Sequence, residues 1–530
     1  MEPFLRNLTG TEPLLQAIAN QPHCLDTRLV LSDWLEEHEH PERAQFLRLH
    51  VARERSDACE LEHRRLTELL EDLLQRHAIT WLQGLPPRLL ERYQRHRLHF
   101  AAGMLEAVTC SPDEVIHDLQ PIRDLLPIRR VAFDGPPQRL DGRDVLDLPV
   151  MAGITHLDLN LPGLGLTGLR LPERPVHLNG VTTLRASYAT LDHAFVESLA
   201  RSTLLRTVER LDLSMNHLRD ESIAALAQSP HLGPLRRLDV CNNPLQTASW
   251  QILGESPAFA GLTHLDLSFI GGSTDRLAAL LRRREWQLEV LDLMQSALTS
   301  DDLRALVAAP GLSRLRALSL RRNPQVASGL ALLGESDNLP SLTDLDLSET
   351  HLIEEQLLPF LRGNGLRGLR RLALSANRWG FRGLPQRGDF PLLHRLEWLD
   401  LHSNELGVMH LESWLEELSR SPLHFLGLGA NRLHEAGCAR MAEIQSWPNL
   451  RQLDLQLNHI DDHALAILLD APWMEQLVEL NLAFNPITDV GAMRLSRKGP
   501  TSLRRVDFRQ CRLSLPAIQH LRERFPMVRV

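Results

Sequence analysis

Side chains that could contact another molecule recur at a fixed spacing between residues 398 and 456. The steps from Trp398 to Phe425 and from Gly427 to Asp454 are each 27 residues (425−398 and 454−427). Aromatic side chains are common anchors of protein interfaces, and glycines in a strand often mark the close approach of another backbone. The pattern predicts a depression above two glycines with an aromatic wall, suited to a protein partner. The candidate residues are Arg371, Trp398, Asp400, His402, Phe425, Gly427, Gly429, Gln452 and Asp454.

The alternative interpretation of this cluster is structural, with Trp398 packing on Phe425 and contacting no partner. Catalytic signatures are weak elsewhere. Cys24 and Asp26 form a C-x-D triplet, but a catalytic cysteine needs a supporting base and a pocket. The segment 459–463 (HIDDH) could bind a metal or form a solvated loop, because ligands must also converge in space. P-loop, H-E-x-x-H and G-x-S-x-G motifs do not occur. We therefore expect no catalytic residue, metal or cofactor.

These candidates lie on a repeat that organises most of the chain. Its motif is L-x-x-L-x-L-x-x-N-x-L, as at Leu450, Leu453, Leu455, Asn458 and Ile460. The L-x-L alternation predicts a short strand, and the stretch after the asparagine has helical spacing. One strand and one helix cannot bury their own apolar faces, so neighbouring repeats must stack. The central positions are Leu157, Leu184, Leu211, Leu238, Leu265, Leu291, Leu318, Leu345, Leu372, Leu399, Leu426, Leu453, Leu480 and Val506.

This pattern resembles leucine-rich-repeat proteins, specifically the longer, helix-containing class typified by ribonuclease inhibitor and the Ran GTPase activators. The resemblance implies a right-handed α/β solenoid shaped as a horseshoe, with about 14–15 repeats of about 27 residues. Parallel strands lie about 4.8 Å apart while packed helices need about 10 Å, so the strands must line the concave face and the helices the convex face.

An asparagine follows the strand in most repeats. Its amide can satisfy backbone groups where the chain leaves the strand, so we interpret these asparagines as structural. Ile270, Ser296, Thr350 and Cys511 occupy this position in other repeats, and we expect those turns to be looser or satisfied differently. The asparagines are Asn216, Asn243, Asn323, Asn377, Asn404, Asn431, Asn458 and Asn485.

Aspartate often occupies the position after the central leucine, as at 212, 239, 266 and 292 in four consecutive repeats. Two interpretations stay open. These carboxylates could form an acidic stripe that receives a basic protein or a cation. Alternatively, Arg210 and Arg237 could pair with them and screen their charge, in which case they have no binding role.

The amino-terminal segment does not fit the repeat and shows several amphipathic helical patterns. Leu14–His50 resembles the small repeat-companion domain that precedes leucine-rich repeats in some bacterial proteins, through R-L-V-x-x-D-W-L-E-E-H and P-E-R-A-x-F-x-R-L. The resemblance implies a bacterial setting and a cap, which the first repeat needs to cover its strand edge. We predict a helical cap at 1–97, a transition with a degenerate first repeat at 98–150, and the solenoid with a terminal cap helix at 151–530.

Composition excludes some classes of partner. The chain has 67 acidic and 58 basic residues and a net charge of −9, which gives no attraction to nucleic acid or anionic membrane. Its six cysteines form no C-x-x-C pair, which predicts reduced thiols. Residues 1–20 contain neither a signal peptide nor a membrane anchor. We therefore expect a cytoplasmic location.

These observations predict a non-catalytic scaffold that binds a protein partner through its concave face. The alternative is a regulator, activating or inhibitory, of a small GTPase or another enzyme, by analogy with the Ran activators. Bacterial leucine-rich-repeat ubiquitin ligases also use a C-x-D triplet, but in a large helical domain that this chain lacks. The identity of the partner and the oligomeric state stay open.

Overall fold

The computed structural model describes residues 2–21, 24–55, 60–135, 145–160, 169–271, 276–283, 286–377 and 390–530. The chain forms two compact units, Met1–Leu267 (unit 1) and Ser268–Val530 (unit 2). Two segments rich in Pro and Gly, 161–171 and 377–390, for which the sequence predicts an irregular connection, lie mostly outside the described residues. The predicted boundaries at 97 and 150 stay predictions. No helix in the described ranges combines the length and the apolar character needed to cross a bilayer.

Unit 1 begins with helices and continues with strands that alternate with helices or short turns. Its helices are α1 Pro3–Arg6, α2 Glu12–Asn20, α3 Leu25–Glu37, α4 Pro41–Arg55, α5 Glu60–Trp81, α6 Pro87–Gln94, α7 Pro112–His117, α8 Leu119–Leu125, α9 His193–Arg201, α10 Asp220–Ala227 and α11 Thr247–Glu255. Its strands are β1 Leu98–Ala101, β2 Met104–Cys110, β3 Arg130–Phe133, β4 His156–Asp158, β5 Thr183–Arg185, β6 Arg210–Asp212, β7 Arg237–Asp239 and β8 His264–Asp266.

Unit 2 consists of strands that alternate with helices or short turns. Its helices are α12 Arg276–Leu280, α13 Ser300–Ala308, α14 Leu330–Gly334, α15 Glu354–Arg362, α16 Gly407–Leu418, α17 His434–Ala442, α18 Asp462–Leu469, α19 Asp489–Lys498 and α20 Leu515–Arg524. Its strands are β9 Val290–Asp292, β10 Ala317–Ser319, β11 Asp344–Asp346, β12 Arg371–Ala373, β13 Trp398–Asp400, β14 Phe425–Gly427, β15 Gln452–Asp454, β16 Glu479–Asn481, β17 Arg505–Asp507 and β18 Met527–Arg529.

Each repeat strand pairs in parallel with the strand of the next repeat inside its unit. In unit 2 the central leucines are in register, Leu399 opposite Leu426 and Leu426 opposite Leu453. These three leucines are almost fully buried, while the residues on either side of them point to the opposite face, which we call the ladder face. Parallel strands alternating with helices around a leucine core confirm the predicted α/β solenoid class.

The asparagines have the structural role predicted for them. Asn431 is fully buried, and its Nδ2 donates to the carbonyl oxygens of Leu401 (2.8 Å) and Leu428 (3.0 Å). Its Oδ1 accepts from the backbone amide of Asn404 at 3.0 Å. The residue before it, Ala430, has a φ of 54°, a conformation that few side chains favour. The amide therefore holds a strained turn by binding the preceding repeat.

Where asparagine is replaced, the turn is satisfied by other atoms. Thr350 donates through Oγ1 to the carbonyl of Leu347 at 2.7 Å, and Cys511 donates through Sγ to the carbonyl of Leu482 at 3.3 Å. Ser296 donates through its hydroxyl to the carbonyl of Met294 at 3.2 Å. At these three positions a hydroxyl or thiol donates to a nearby carbonyl, as the asparagine amide does elsewhere.

The amino-terminal helices contact the first strands through buried ion pairs. Arg28 on α3 binds Glu106 on β2 with Nη2–Oε2 at 3.0 Å, and Arg43 on α4 binds Glu2 at 2.9 Å. Glu2 also accepts from the backbone amide of Leu105 at 3.3 Å. Such pairs are costly to break once buried, so they fix the helices to the hairpin formed by the antiparallel strands β1 and β2.

Candidate protein-binding site

Three candidate residues form a continuous stack on the ladder face of unit 2. The rings of Trp398 on β13 and Phe425 on β14 are parallel, with centroids 4.9 Å apart and an interplanar angle of 12°. The guanidinium of Arg371 on β12 lies 4.8 Å from the Trp398 centroid. We call these three residues the Trp398 stack. The pair packs as the structural interpretation expects, and only 7% of Trp398 and 9% of Phe425 is exposed.

The ends of the Trp398 stack are held by charged and polar neighbours. Arg371 Nε lies 2.8 Å from Asp344 Oδ1 on β11, and both side chains are about one-quarter exposed. On the other side of the stack, Gln452 on β15 follows Phe425 in register and donates to Glu479 Oε1 at 3.5 Å. A charged pair and an amide therefore border the aromatic surface.

A buried charged group lies next to the Trp398 stack. His402 contacts two carboxylates, with Nδ1 bonded to Asp400 Oδ1 and Nε2 lying 3.4 Å from Asp454 Oδ2. Asp454 also accepts from Asn481 Nδ2 at 2.8 Å. We call Asp400, His402 and Asp454 the His402 cluster. Its three side chains are 9–13% exposed.

The two glycines have a different effect from the one that their sequence pattern predicts. A Cβ on Gly427 would lie 2.6 Å from His402 Cε1, and a Cβ on Gly429 would lie 2.2 Å from His402 Cδ2. The imidazole therefore fills the space above both glycines, and the expected empty depression is absent there. The glycines make room for a side chain of this protein because any Cβ would collide with the ring.

The charges of the His402 cluster stabilise one another. Burial disfavours the imidazolium, but Asp400 and Asp454 together outweigh it and raise the pKa of His402 well above its ordinary value. Burial likewise disfavours the Asp454 carboxylate, but His402 outweighs it and lowers the pKa of Asp454. The raised pKa of His402 favours its protonated form beside Asp400 and Asp454.

Aspartates occupy the same position on three neighbouring strands of unit 1. Asp239 lies in register between Asp212 and Asp266. Burial first, and then the charges of Asp266 and Asp212, raise the pKa of Asp239 well above its ordinary value. Arg210 forms its ion pair with Glu54 on α4, at 4.0 Å. Ligand atoms of Asp239, Cys241 and Asp266 lie within 4.8 Å of one another, and a raised pKa allows such a group to persist by protonation without a cation.

The other groups considered for chemistry have structural contacts. In segment 459–463, Asp461 caps α18 by accepting from Ala464 N at 2.9 Å, and Asp462 accepts from Gly491 N at 2.9 Å. Cys24 is a partly buried free thiol at the start of α3, and Asp26 forms an ion pair with Arg55. The carboxylates of these motifs are thus already engaged.

Sequence reasoning missed the residues that complete the site. Asp344 holds Arg371, and Asn481 holds Asp454. The signal was available in the register of the repeat, since Asp344 is 27 residues before Arg371 and Asn481 is 27 residues after Asp454 (371−344 and 481−454). A comparison of the outward-facing positions in successive repeats would have identified Asp344 and Asn481.

Comparison with known proteins supports the repeat assignment. The leucine-rich-repeat family model matches residues 205–227, 448–465 and 476–496. No curated protein sequence matches this chain significantly. The three matched segments carry leucine-rich repeats. Two of the matched repeats carry candidate or supporting residues, because 448–465 contains Gln452 and Asp454 and 476–496 contains Asn481.

Solved structures similar to this chain have low sequence identity. An internalin from Listeria monocytogenes has a TM-score of 0.39 and 16% identity, covering 63% of this chain and 92% of that one. A leucine-rich-repeat protein of Leptospira interrogans has a TM-score of 0.38 and 16% identity, covering 79% and 98%. The yeast Rad7 and Elc1 complex has a TM-score of 0.40 and 17% identity, covering 66% and 78%.

Proposed function

We propose that this chain is a non-catalytic scaffold that binds a protein partner through the ladder face of unit 2, the concave face expected from the sequence. The observation that carries the proposal is the Trp398 stack. Trp and Arg are enriched among residues that dominate interface energies. Because each group of the stack is already held by its neighbours, little side-chain freedom remains to be lost on binding.

The surroundings of the stack indicate what the partner presents. The two rings, 7% and 9% exposed, offer a small apolar contact, and Asp344 and the His402 cluster place acidic side chains near it. Asp346 adds a further acidic group. Burial makes the largest contribution to its raised pKa, and the charge of the nearby Asp400 adds to it. We infer that the partner inserts an apolar side chain against the ring edges and places a basic side chain near the carboxylates.

The decisive experiment purifies the partner and then measures its affinity. Tagged full-length protein is used to capture partners from the native cell, and the binding is rebuilt from pure components by calorimetry. Trp398→Ala/Phe425→Ala is expected to weaken binding by at least about tenfold, or roughly 1.4 kcal/mol. The control is Arg440→Ala on helix α17, an arginine that is 43% exposed and off the ladder face.

Loss of the two rings also creates a cavity, so a milder variant separates binding from folding. Arg371→Ala/Gln452→Ala removes partly exposed groups at the two ends of the stack and is expected to fold while losing affinity. If the purified partner binds both double variants as tightly as wild type, the ladder face of unit 2 is not the binding surface. Equal loss in the Arg440→Ala control would also contradict the proposal.

We also propose that the repeats are of the longer, helix-containing class found in ribonuclease inhibitor and the Ran GTPase activators. Support comes from the 27-residue period and from the helix in many repeats. On that basis the second candidate function is regulation of a small GTPase or another enzyme. A GTP hydrolysis assay with the purified partner distinguishes the two, since a scaffold leaves turnover unchanged.

The amino-terminal helices have a separate proposed role. We propose that 1–97 is a bacterial repeat-companion domain that caps the first strands, and that the protein acts in the cytoplasm. Support comes from the buried Arg28–Glu106 and Arg43–Glu2 pairs, which attach α3 and α4 to the β1–β2 region. Deleting 1–97 is expected to make the repeats aggregate, as judged by size-exclusion chromatography.

A further inference from the structure

A pocket in unit 1 shares no lining residue with the proposed binding surface. Its volume is about 230 Å³, and its walls come from the end of α4 and from strands β1 to β5. Arg53 and Glu54 contribute from α4, Arg130 from β3, Asp158 from β4 and Arg185 from β5. Three arginines thus reach one small pocket from three separate elements.

One carboxylate of the protein already occupies part of this basic environment. Glu54 Oε1 lies 2.9 Å from Arg130 Nη1, and Glu54 Oε2 lies 4.0 Å from Arg210 Nη1 on the neighbouring strand β6. Burial disfavours the Glu54 carboxylate, yet Arg130 and Arg210 outweigh that effect and lower its pKa. The walls of the pocket therefore stabilise an oxyanion, and Glu54 neutralises Arg130.

Two arginines of the lining have no such partner. Arg53 and Arg185 form no ion pair with an acidic residue in the part of the chain that the structure describes; Arg53 contacts His50 Nδ1 at 3.4 Å. Asp158, the other acidic wall residue, accepts from the backbone amide of Asn160 at 2.9 Å. Among the described residues, two cationic side chains therefore face the pocket without an ion-pairing carboxylate.

The pKa values of Arg53 and His50 reflect the positive charge around the pocket. Burial first, and then the charges of Arg130 and Arg185, lower the pKa of Arg53 despite opposing contributions from Glu54 and Glu71. Burial and the charge of Arg53, followed by those of other arginines, lower the pKa of His50 well below its ordinary value. An anion placed among these groups would relieve their mutual repulsion.

We propose that this pocket binds a phosphate monoester group. A guanidinium fork matches phosphate oxygens, and two arginines without ion pairs match a group that carries nearly two negative charges. Ligand pockets for drug-sized molecules measure roughly 300–1,000 Å³, so this smaller pocket suits a phosphate with a short attached chain. A phosphorylated protein side chain and a small phosphate ester present the same chemistry.

The test is calorimetric titration of the full-length protein with three probes: O-phosphoserine, a short phosphoserine peptide and the same peptide with serine. Both phosphorylated probes are expected to bind and the serine peptide is not. Arg53→Gln/Arg185→Gln is expected to weaken binding at least tenfold. The matched control is Arg201→Gln on α9, an arginine of unit 1 outside the pocket whose side chain is 66% exposed.

The single variant Arg185→Gln guards against misfolding, because Arg185 is exposed and its replacement leaves the core untouched. It is expected to weaken binding by several-fold while Arg201→Gln keeps wild-type affinity. Tighter binding of the peptide than of O-phosphoserine identifies a protein source, and equal binding identifies a small phosphate ester. Failure of both phosphorylated probes to bind at millimolar concentration overturns the proposal, as does wild-type affinity in the folded double variant.

Discussion

The two units use the same outward carboxylate position in opposite ways. Asp239 in unit 1 lies between two other carboxylates, and burial together with their charges raises its pKa. Asp454 in unit 2 is also shielded from water, yet His402 lowers its pKa. Both aspartates follow the central leucine of their strand, so the backbone repeat does not determine their ionisation. The side chains on neighbouring strands determine it.

Glycine makes the arrangement in unit 2 possible. Asp400 is in register with Gly427, so no second carboxylate lies between Asp400 and Asp454. The imidazole of His402 occupies that space and joins the two carboxylates. In unit 1 the corresponding neighbours are Asp212 and Asp266, which bring negative charge into the same space. The comparison shows that glycines on the ladder face, such as Gly427 and Gly429, can leave space for the side chain of a residue on a neighbouring strand.

Of the substitutions considered, removal of His402 should change the free energy of unfolding the most. His402→Ala leaves Asp400 and Asp454 buried without their cation, which is expected to cost about 3–5 kcal/mol of unfolding free energy near pH 7. Urea unfolding followed by circular dichroism measures the change. A loss below about 1 kcal/mol would mean that the cluster is hydrated and contributes little. His520→Ala on α20, whose side chain is 56% exposed, is the control and should change little.

The pH dependence of stability should follow the two pKa shifts of the His402 cluster. Because the pKa of His402 is raised on folding, its contribution is complete below about pH 6.5, the unfolded value, and declines as pH rises through the folded value. Because the pKa of Asp454 is lowered, its contribution is present above about pH 3.9 and declines as pH falls through the folded value. Urea midpoints of wild type and His402→Ala across pH 3–10 should converge at both extremes. A constant difference would contradict the assignment.

Adding one methyl group should disturb the cluster to a smaller degree. Gly429→Ala places a carbon 2.2 Å from His402 Cδ2, and overpacking of this kind typically costs about 1–3 kcal/mol. Thermal unfolding measures the effect, and the imidazole resonances of His402 should shift as the ring moves. Gly271→Ala is the matched control because no atom lies within 4 Å of its added carbon. Equal stability of the two variants would show that the ring adapts freely.

Neutralising the corresponding aspartate in unit 1 should have the smallest effect and the opposite sign. Asp239→Asn removes the repulsion between this side chain and those of Asp212 and Asp266. In the wild-type protein the backbone amide of Cys241 donates to Asp239 Oδ1 at 2.9 Å, and the asparagine oxygen can accept the same bond. Stabilisation of about 0.5–2 kcal/mol is expected at neutral pH. Asp454→Asn should instead destabilise the protein, because His402 loses a counter-charge. Destabilisation by both substitutions would remove the distinction between the units.

The fold was predictable because its determinants recur. Leucines at a period of about 27 residues specify which face each strand buries, and the asparagine in most turns specifies how the backbone of the turn is satisfied. Both inferences need only spacing along the chain. The stack of Trp398 on Phe425 was predictable for the same reason, since equal positions in adjacent repeats are neighbours across a parallel sheet.

The chemistry of the surface was harder to predict. The position of His402 above two glycines depends on the direction of a side chain, which spacing alone does not give. The basic pocket depends on how α4 packs against the strands, and Arg53 is separated from Arg130 by 77 residues without periodicity (130−53). Contacts between a non-repeating segment and a repeating one leave no regular signal in the sequence.

The asparagine bonds all run in one direction along the chain. Asn431 binds backbone groups of the repeat before it, and its own backbone amide donates to Asn458 of the repeat after it. A repeat therefore depends on its successor for the support of its turn. Shortening the protein from the carboxyl terminus should fray each newly exposed last turn, whereas shortening within the repeats from the amino terminus leaves the new first turn supported. The solenoid therefore has a polarity, and at Cys511 a thiol stands in place of the amide.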